Sequence, residues 1–287
     1  MVNLSQEIKS ARGKSDGSRV KDKPSRSGRV LKTLAVLGGV LWGVYQYQPQ
    51  RYDFIPRQLP ASNPWTDPDS DRLFSPGVRV TIVSAHPDDA EFYIGGLLTR
   101  LAKSGAVLSL VVATDGDKGY YPFEDAARNL AVRRDEQEAA AKMWNAEEVV
   151  YLGYPDGRFD VTGQSVADIA RELRRLQPEY ILAFDGDYPP RLSHGDHRNA
   201  GTATERAVKQ SGVGKWLLRY STIAPNFAFD VTDSWQSKLE ALAVHKSQFS
   251  GGKMNFISNM LAGIATRDGA LINTRYAEGV RCTRLVR

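Results

Sequence analysis

Residues 78–89, VRVTIVSAHPDD, decide the fold class of this chain. The first seven are rich in β-branched side chains and predict a strand. His86, Asp88 and Asp89 follow directly, and in open α/β sheets ligands bind beyond the carboxyl ends of the strands. Pro87 restricts the backbone and biases His86 towards an extended conformation. The stretch therefore predicts a sheet strand that ends in a functional site.

Apolar strands and helices alternate on the C-terminal side of this stretch. Strands are predicted at residues 107–114, 149–152 and 180–184, and helices at residues 94–103, 129–144, 166–176 and 197–210. Strand-like runs at residues 217–222 and 227–231 precede a predicted helix at residues 233–249. Continuous apolar strands that alternate with helices indicate an α/β fold, with a mostly parallel sheet covered by helices on both faces.

The positive charge of the chain is concentrated at its N-terminus. The 287 residues carry a net charge of +5, and residues 1–32 alone hold nine basic and three acidic side chains. The rest of the chain is therefore near neutral, which gives no support to a nucleic-acid-binding core. The length suits one sizeable α/β domain, residues 78–287, preceded by a tail.

The tail divides into three segments by composition. Residues 1–29 are rich in Ser, Gly, Lys and Arg and predict a disordered basic arm. Residues 30–47, VLKTLAVLGGVLWGVYQY, are interpreted as an uncleaved transmembrane anchor, although their apolar core is shorter than the ~20 residues of a full span. A cleaved signal peptide and a surface helix are the alternatives. Residues 48–77 are rich in proline and predict an extended stalk or a wrap over the domain surface.

The anchor leads to an expected location. Because the basic arm precedes the span, the positive-inside rule places the N-terminus in the cytoplasm and residues 78–287 on the periplasmic or extracytoplasmic side. Cys282 is the single cysteine, so the sequence excludes both an intramolecular disulfide and a cysteine-based zinc site.

A second polar cluster, HGDH at residues 194–197, follows the predicted strand at residues 180–184. Its loop is expected at the same edge of the sheet as HPDD, and three of the four histidines of the chain lie in the two clusters. Imidazole and carboxylate suit a catalytic zinc, which keeps three protein ligands and a water. The alternative is that His86 is a loop histidine and that Asp88 and Asp89 cap the next helix.

Both motifs, HPDDAEFYIGG from His86 onwards and HGDH, resemble those of the PIG-L/LmbE-like family of zinc-dependent N-acetylglucosaminyl de-N-acetylases. Further segments resemble the family pattern in the same order, at residues 114–119, 133–141, 152–157, 245–248 and 276–279. Two positions depart from it, since Gly195 replaces a proline and Ala90 an acid. The resemblance implies a Rossmann-like α/β domain that hydrolyses an acetamide.

The resemblance also implies a role for each ionisable residue of the two motifs. The zinc ligands would be His86, Asp89 and His197, and the site could accept other divalent ions. Asp88 would be the general base that takes the proton of the water. His194, as an imidazolium, would stabilise the oxyanion or protonate the leaving amine.

Three further residues receive roles with an open alternative. Asp196 would hold His194 charged and oriented, and its alternative role is to cap the following helix. Arg133 and Asp156 would bind sugar hydroxyls or a neighbouring phosphate, and the alternative for both is a surface ion pair. His245 is interpreted as structural, bonded to a backbone group under the site.

The expected function is removal of the acetyl group from an N-acetylglucosamine-type conjugate. A lipid-linked sugar and an exported glycan are the candidate substrates. An amidase or phosphoesterase for other substrates and a non-catalytic carbohydrate-binding protein stay open as alternatives. A Rossmann-type oxidoreductase is disfavoured, because no G-x-G-x-x-G follows the first strand.

Overall fold

A mostly parallel sheet forms the centre of the folded domain. The computed structural model describes residues 67–119, 126–189 and 194–285. Its strands are β1 (Arg79–Ser84), β2 (Val107–Thr114), β3 (Ala146–Tyr154), β4 (Tyr180–Phe184), β5 (Trp216–Tyr220), β6 (Phe227–Asp230) and β7 (Ala277–Arg284). Within these described ranges the strand order is β3-β2-β1-β4-β5-β7-β6, and β7 runs antiparallel to both of its neighbours.

Helices connect most of the strands. They are α1 (Asp67–Leu73), α2 (Asp89–Lys103), α3 (Ala126–Met143), α4 (Gly163–Leu176), α5 (Gly195–Ser211), α6 (Trp235–Ala243), α7 (Lys246–Phe249) and α8 (Gly252–Gly269), with a 3-10 turn at Thr232–Ser234. Because parallel crossovers are right-handed, α2 and α3 lie on one face of the sheet and α4 and α5 on the other. The winding reverses between β1 and β4, and such a reversal opens a crevice at the carboxyl ends of the strands.

The inner strands are buried on both faces. Ile82 in β1 lies opposite Leu110 of β2 and Leu182 of β4, and all three side chains are fully buried. This explains why these strands consist of continuous apolar runs. The prediction of an α/β fold with a mostly parallel sheet is confirmed.

Helix α2 starts at Asp89, ahead of the predicted start at residue 94, and it is kinked. Ile94 has φ −133° and ψ 21°, which are not helical values. Glu278 accepts hydrogen bonds from the backbone N–H groups of Gly96 at 3.1 Å and Leu97 at 2.8 Å, just after the kink. The segment before the kink is a separate turn with a polar start, which the apolar periodicity of the helix does not reveal.

The sequence pattern does not reveal two C-terminal elements, α8 and β7. Strand β7, AEGVRCTR, has only two large apolar side chains, Val280 and Cys282, and both are buried. It pairs with β5 on one side and β6 on the other, so the neighbouring strands supply the burial. The helix predicted at residues 233–249 is divided into α6 and α7 at His245, whose φ −76° and ψ 62° are not helical.

Most of the predicted tail lies outside the described residues. The basic arm at residues 1–29 and the anchor at residues 30–47 are among the undescribed ones, so both stay predictions. Among the helices of the described ranges, none has the length and apolar character needed to cross a membrane.

The predicted stalk or wrap at residues 48–77 is described only from residue 67 onwards, where α1 packs on the domain, and it otherwise stays a prediction. Leu73 is fully buried, and the indole N–H of Trp216 donates to Asp69 Oδ1 at 3.2 Å. Pro68 is compatible with this helix because it stands in the first turn, where its missing N–H has no helical acceptor.

Candidate metal centre

The two histidine motifs meet at the crevice between β1 and β4. Nδ1 of His86 lies 3.2 Å from Nε2 of His197. The same Nε2 of His197 lies 3.2 Å from Oδ1 of Asp89. The other oxygen of Asp89 accepts hydrogen bonds from the backbone N–H groups of Ala85 at 3.1 Å and His86 at 2.7 Å. Oδ2 of Asp89 therefore anchors the loop and lies 3.5 Å from Nδ1 of His86, while Oδ1 faces His197.

This donor set fits a tetrahedral zinc ion. Zinc binds imidazole nitrogen and carboxylate oxygen at about 2.0–2.2 Å, so two donors of one tetrahedron lie about 3.3–3.5 Å apart. The two separations of 3.2 Å are close to that value. The ligand atoms of His86, Asp89 and His197 all lie within 4.8 Å of one another. The structure thus brings together the three predicted ligands, and their binding of zinc stays a prediction.

Two carboxylates contact the other nitrogen of His86. Its Nε2 lies 3.1 Å from Oδ1 of Asp156 and 3.2 Å from Oδ2 of Asp196, which also accepts the backbone N–H of Gly157 at 2.6 Å. Burial opposes protonation of His86, but the carboxylates outweigh it, so the pKa of His86 is well above its usual value. Carboxylates in such positions hold a ligating imidazole in one orientation and tautomer. A second group of residues has ligand atoms that could hold a metal ion, and its members are His86, Asp156, His194 and Asp196.

His194, and not Asp196, is the N-cap of α5. Its Nδ1 accepts the backbone N–H of Asp196 at 3.3 Å, which places the hydrogen of the neutral ring on Nε2. The carboxylate of Asp196 is 3.9 Å from His194 but 3.2 Å from His86. Burial, with His86 and His197, lowers the pKa of His194. Asp196 therefore lies closer to His86 than to His194, whose neutral form is favoured, and the role of Asp196 in orienting His194 stays a prediction.

Asp88 stands beside this centre with an unusual backbone. It has φ 93° and ψ −23°, a left-handed conformation that non-glycine residues seldom adopt. Its Oδ2 accepts a hydrogen bond from Nη2 of Arg133 at 2.9 Å. Burial raises the pKa of Asp88 to about 6, against the opposing effect of Arg133 and with a contribution from Asp89. A carboxyl group with this pKa can take up and return a proton near neutral pH.

Arg133 and Asp156 lie under the centre, and both are buried, so neither belongs to a surface ion pair. Nη1 of Arg133 donates to the backbone oxygen of Gly116 at 2.9 Å, and Nη2 to that of Pro87 at 2.5 Å. Asp156 faces His86. Both residues therefore organise the loops of the site, and their contact with sugar hydroxyls stays a prediction.

Comparison with known proteins finds a family that is similar to this chain. Residues 81–208 match the model of the family described as "PIG-L: GlcNAc-PI de-N-acetylase", and this range contains both histidine motifs. Residues 81–208 are similar to this family. The resemblance seen in the sequence motifs is thereby confirmed.

Deacetylases are among the relatives of this chain. It is 29% identical over 220 residues to the diacetylchitobiose deacetylase of Thermococcus kodakarensis, covering 71% of this chain and 82% of that protein. Its structure matches the N,N′-diacetylchitobiose deacetylase from Pyrococcus horikoshii with a TM-score of 0.70 and 26% identity, over 92% and 95% of the two chains. GalB, the 4-carboxy-2-hydroxymuconate hydratase from Pseudomonas putida KT2440, shares the fold at 19% identity and a TM-score of 0.62, over 73% and 98%. The fold alone therefore does not define the reaction.

Helix α3 supplies a supporting residue, Gln137, which lies in the segment 133–141 but received no role from the sequence. Gln137 accepts the backbone N–H of Asp88 at 2.8 Å and donates to Oε1 of Glu91 at 3.0 Å. Its spacing from Arg133 is a usable signal, because residues four apart share one helix face. A helix with a buried polar face is consistent with a neighbouring functional site.

His245 is buried and structural, as predicted, but its partner differs from the predicted backbone group. Its Nε2 lies 3.3 Å from Oε2 of Glu91, and its Nδ1 has no hydrogen-bond partner among the described residues. Both side chains are fully buried. No sequence pattern pairs them, since they are far apart along the chain and meet only in the folded domain.

Proposed function

We propose that this protein is a zinc-dependent deacetylase that hydrolyses the acetamide of an N-acetylglucosamine-type sugar conjugate. The observation that carries the proposal is the partly buried carboxyl group of Asp88 beside a donor set of two histidines and one aspartate. The donors suit a hydrolytic metal centre, and the carboxyl group suits a general base. The deacetylase relatives support amide hydrolysis as the reaction.

His86, Asp89 and His197 would hold the ion. Two nitrogen donors and one oxygen donor suit zinc, and they can also bind other divalent metals. When bound, the metal lowers the pKa of water at the site and polarises the carbonyl oxygen of the amide. Asp156 and Asp196 would keep the ring of His86 oriented towards it.

Asp88 would take the proton of the attacking water. Arg133 binds Oδ2 of Asp88, so Oδ1 is the oxygen that receives this proton. As the oxygen of the water bonds to the carbonyl carbon and the C–N bond breaks, Asp88 returns the proton to the leaving nitrogen. The products are acetate and the sugar amine, and the raised pKa of Asp88 suits both transfers.

His194 would stabilise the carbonyl oxygen as it gains negative charge. Since Nδ1 of His194 accepts the N–H of Asp196, its Nε2 carries the hydrogen that can be donated. A neutral donor of this kind contributes because it is already in place when the charge develops. This assignment replaces the imidazolium expected from the sequence.

The relatives named as diacetylchitobiose deacetylases support an N-acetylated amino sugar as the substrate class. Arg133 and Asp156 are retained as proposed substrate-side residues. The location follows from the sequence alone: if residues 30–47 anchor the chain, the domain acts outside the cytoplasm on lipid-linked sugars or exported glycans.

Acetate release tests the proposal. The full-length, zinc-loaded protein is incubated with N,N′-diacetylchitobiose, a lipid-linked N-acetylglucosamine and acetanilide, and acetate and free amine are both measured. We expect equal amounts of acetate and amine from at least one of the two sugar compounds. Hydrolysis of acetanilide alone would contradict the substrate class, and sugar binding without acetate would favour the carbohydrate-binding alternative.

A further inference from the structure

One helix holds Asp88 at two points. Arg133 binds its carboxylate at 2.9 Å, and Oε1 of Gln137 accepts its backbone N–H at 2.8 Å. The two residues are one turn apart on the same face of α3. Between these contacts the backbone of Asp88 has φ 93°, a conformation that persists only where the surroundings impose it.

Glu91 sets the orientation of the Gln137 amide. A carboxylate only accepts hydrogen bonds, so Nε2 of Gln137 faces Oε1 of Glu91, at 3.0 Å. The amide oxygen is then turned towards the N–H of Asp88. The reverse orientation would place an NH2 group against this N–H and an oxygen against the carboxylate, so it would lose both hydrogen bonds.

Two further side chains hold Glu91 in place. The indole N–H of Trp144 donates to Oε1 of Glu91 at 2.8 Å, and Nε2 of His245 lies 3.3 Å from Oε2. Glu91, Gln137 and His245 are each 0% exposed, so none of them can touch a substrate. A functional effect of this buried chain of contacts must therefore pass through Asp88.

The contacts that hold the metal ligands do not involve Gln137 or Glu91. Asp89 is held by the backbone N–H groups of Ala85 and His86, and His86 by Asp156 and Asp196. Loss of the Gln137 amide therefore leaves these contacts in place. This separation allows the effect of Gln137 on Asp88 to be measured without loss of the metal.

We propose that Gln137 is a positioning residue for Asp88. With Glu91 behind it, Gln137 keeps the backbone of Asp88 left-handed, which leaves the carboxyl group on Arg133 and beside Asp89. The inference rests on the proposed function, in which Asp88 is the general base. It adds a residue that neither contacts substrate nor binds metal but determines how well the base is placed.

Gln137→Met tests the proposal, since methionine keeps the length of the side chain and removes both polar ends. We expect kcat for acetate release to fall about 10- to 100-fold, in the range that misplacement of a reacting group causes. KM and zinc content should stay within about twofold of the wild type, because binding groups and ligands are held elsewhere. Gln164→Met, on the exposed face of α4, is the matched control and should leave both constants unchanged.

A double-mutant cycle distinguishes positioning of Asp88 from a general structural effect. In an Asp88→Ala background, Gln137→Met should cause no further fall in kcat, because its effect passes through the missing carboxyl group. A further tenfold fall would overturn the proposal, as would a Gln137→Met variant with wild-type kcat. Should Gln137→Met not fold, Gln137→Asn keeps the amide but is too short to reach both partners. If neither variant folds, Gln137 is structural and the proposal is wrong.

Amide hydrogen exchange separates failure of this inference from failure of the proposed function. If the wild type releases no acetate, the proposed function fails. The peptide that covers residues 86–92 should still exchange faster in Gln137→Met than in the wild type. Equal exchange in the two proteins would show that Gln137 does not hold the backbone of Asp88.

Discussion

Phe184 stacks on His197, with ring centroids 4.2 Å apart and an angle of 7° between the ring planes. Phe184 is the last residue of β4, so the sheet itself determines the plane of a predicted metal ligand. Tyr93 approaches the same imidazole edge-on, at 5.8 Å. The orientation of His197 is therefore fixed from two sides before any metal binds.

Phe184→Leu should weaken zinc binding about tenfold, since residues that orient a ligand typically affect metal affinity by about 10- to 100-fold. Competition with a chromogenic chelator measures the affinity. Phe229→Leu is the matched control, because Phe229 is equally buried but lies on the edge strand β6. Equal zinc affinity in the Phe184 variant and the wild type would show that the stack does not orient the ligand.

Asp196→Asn should also lower zinc affinity, by about 10- to 100-fold, because an amide is a poorer acceptor for the Nε2 hydrogen of His86. The control is Asp187→Asn, whose side chain is 80% exposed and which pairs with Arg281. If Asp196 acted only on His194, as the sequence suggested, its substitution would reduce turnover and leave zinc affinity unchanged.

Zinc should stabilise the fold. A ligand that binds only the native state at about 100 times its Kd adds about 2.7 kcal/mol to the free energy of unfolding. Thermal unfolding of the chelator-treated protein should therefore occur at a lower Tm than that of the zinc-loaded protein. In His197→Ala the difference in Tm should nearly vanish. A zinc-dependent shift of wild-type size in that variant would place the ion elsewhere.

Glu278→Gln should destabilise the domain strongly. Glu278 and Lys238 form a buried ion pair at 2.6 Å, and Glu278 also accepts two backbone N–H groups at the kink of α2. Removal of one charge from a buried pair typically costs about 3–5 kcal/mol. Urea unfolding measures the change. Lys209→Gln, which breaks an exposed pair with Glu205, should leave stability nearly unchanged, and a similar loss in both variants would contradict the account.

The fold could be predicted where burial dictates sequence. β2 and β4 occupy the predicted residues because parallel strands covered on both faces must be apolar throughout. β7 could not be predicted, because its two neighbours supply its pairing and burial. The kink of α2 likewise depends on Glu278, which is distant in the sequence and close only in the folded domain.

The site could be predicted at the level of its motifs. HPDD and HGDH follow the two strands between which the winding reverses, and their His and Asp side chains do converge. The individual side-chain contacts could not be predicted, because each depends on where a residue lies within one turn of its helix. Asp196 lies closer to His86 than to His194, and Gln137 reaches Asp88 from a helix whose buried face carries no apolar signal.

Zinc content and acetate release, measured side by side on three proteins, test the central claim most directly. The claim is that His86, Asp89 and His197 hold the metal while Asp88 acts as the base. The wild type should bind stoichiometric zinc and release acetate from its sugar substrate. Asp88→Asn should keep the zinc and lose turnover by about 100-fold or more, and His197→Ala should lose both. Wild-type acetate release by Asp88→Asn, or undiminished zinc binding by His197→Ala, would contradict the account.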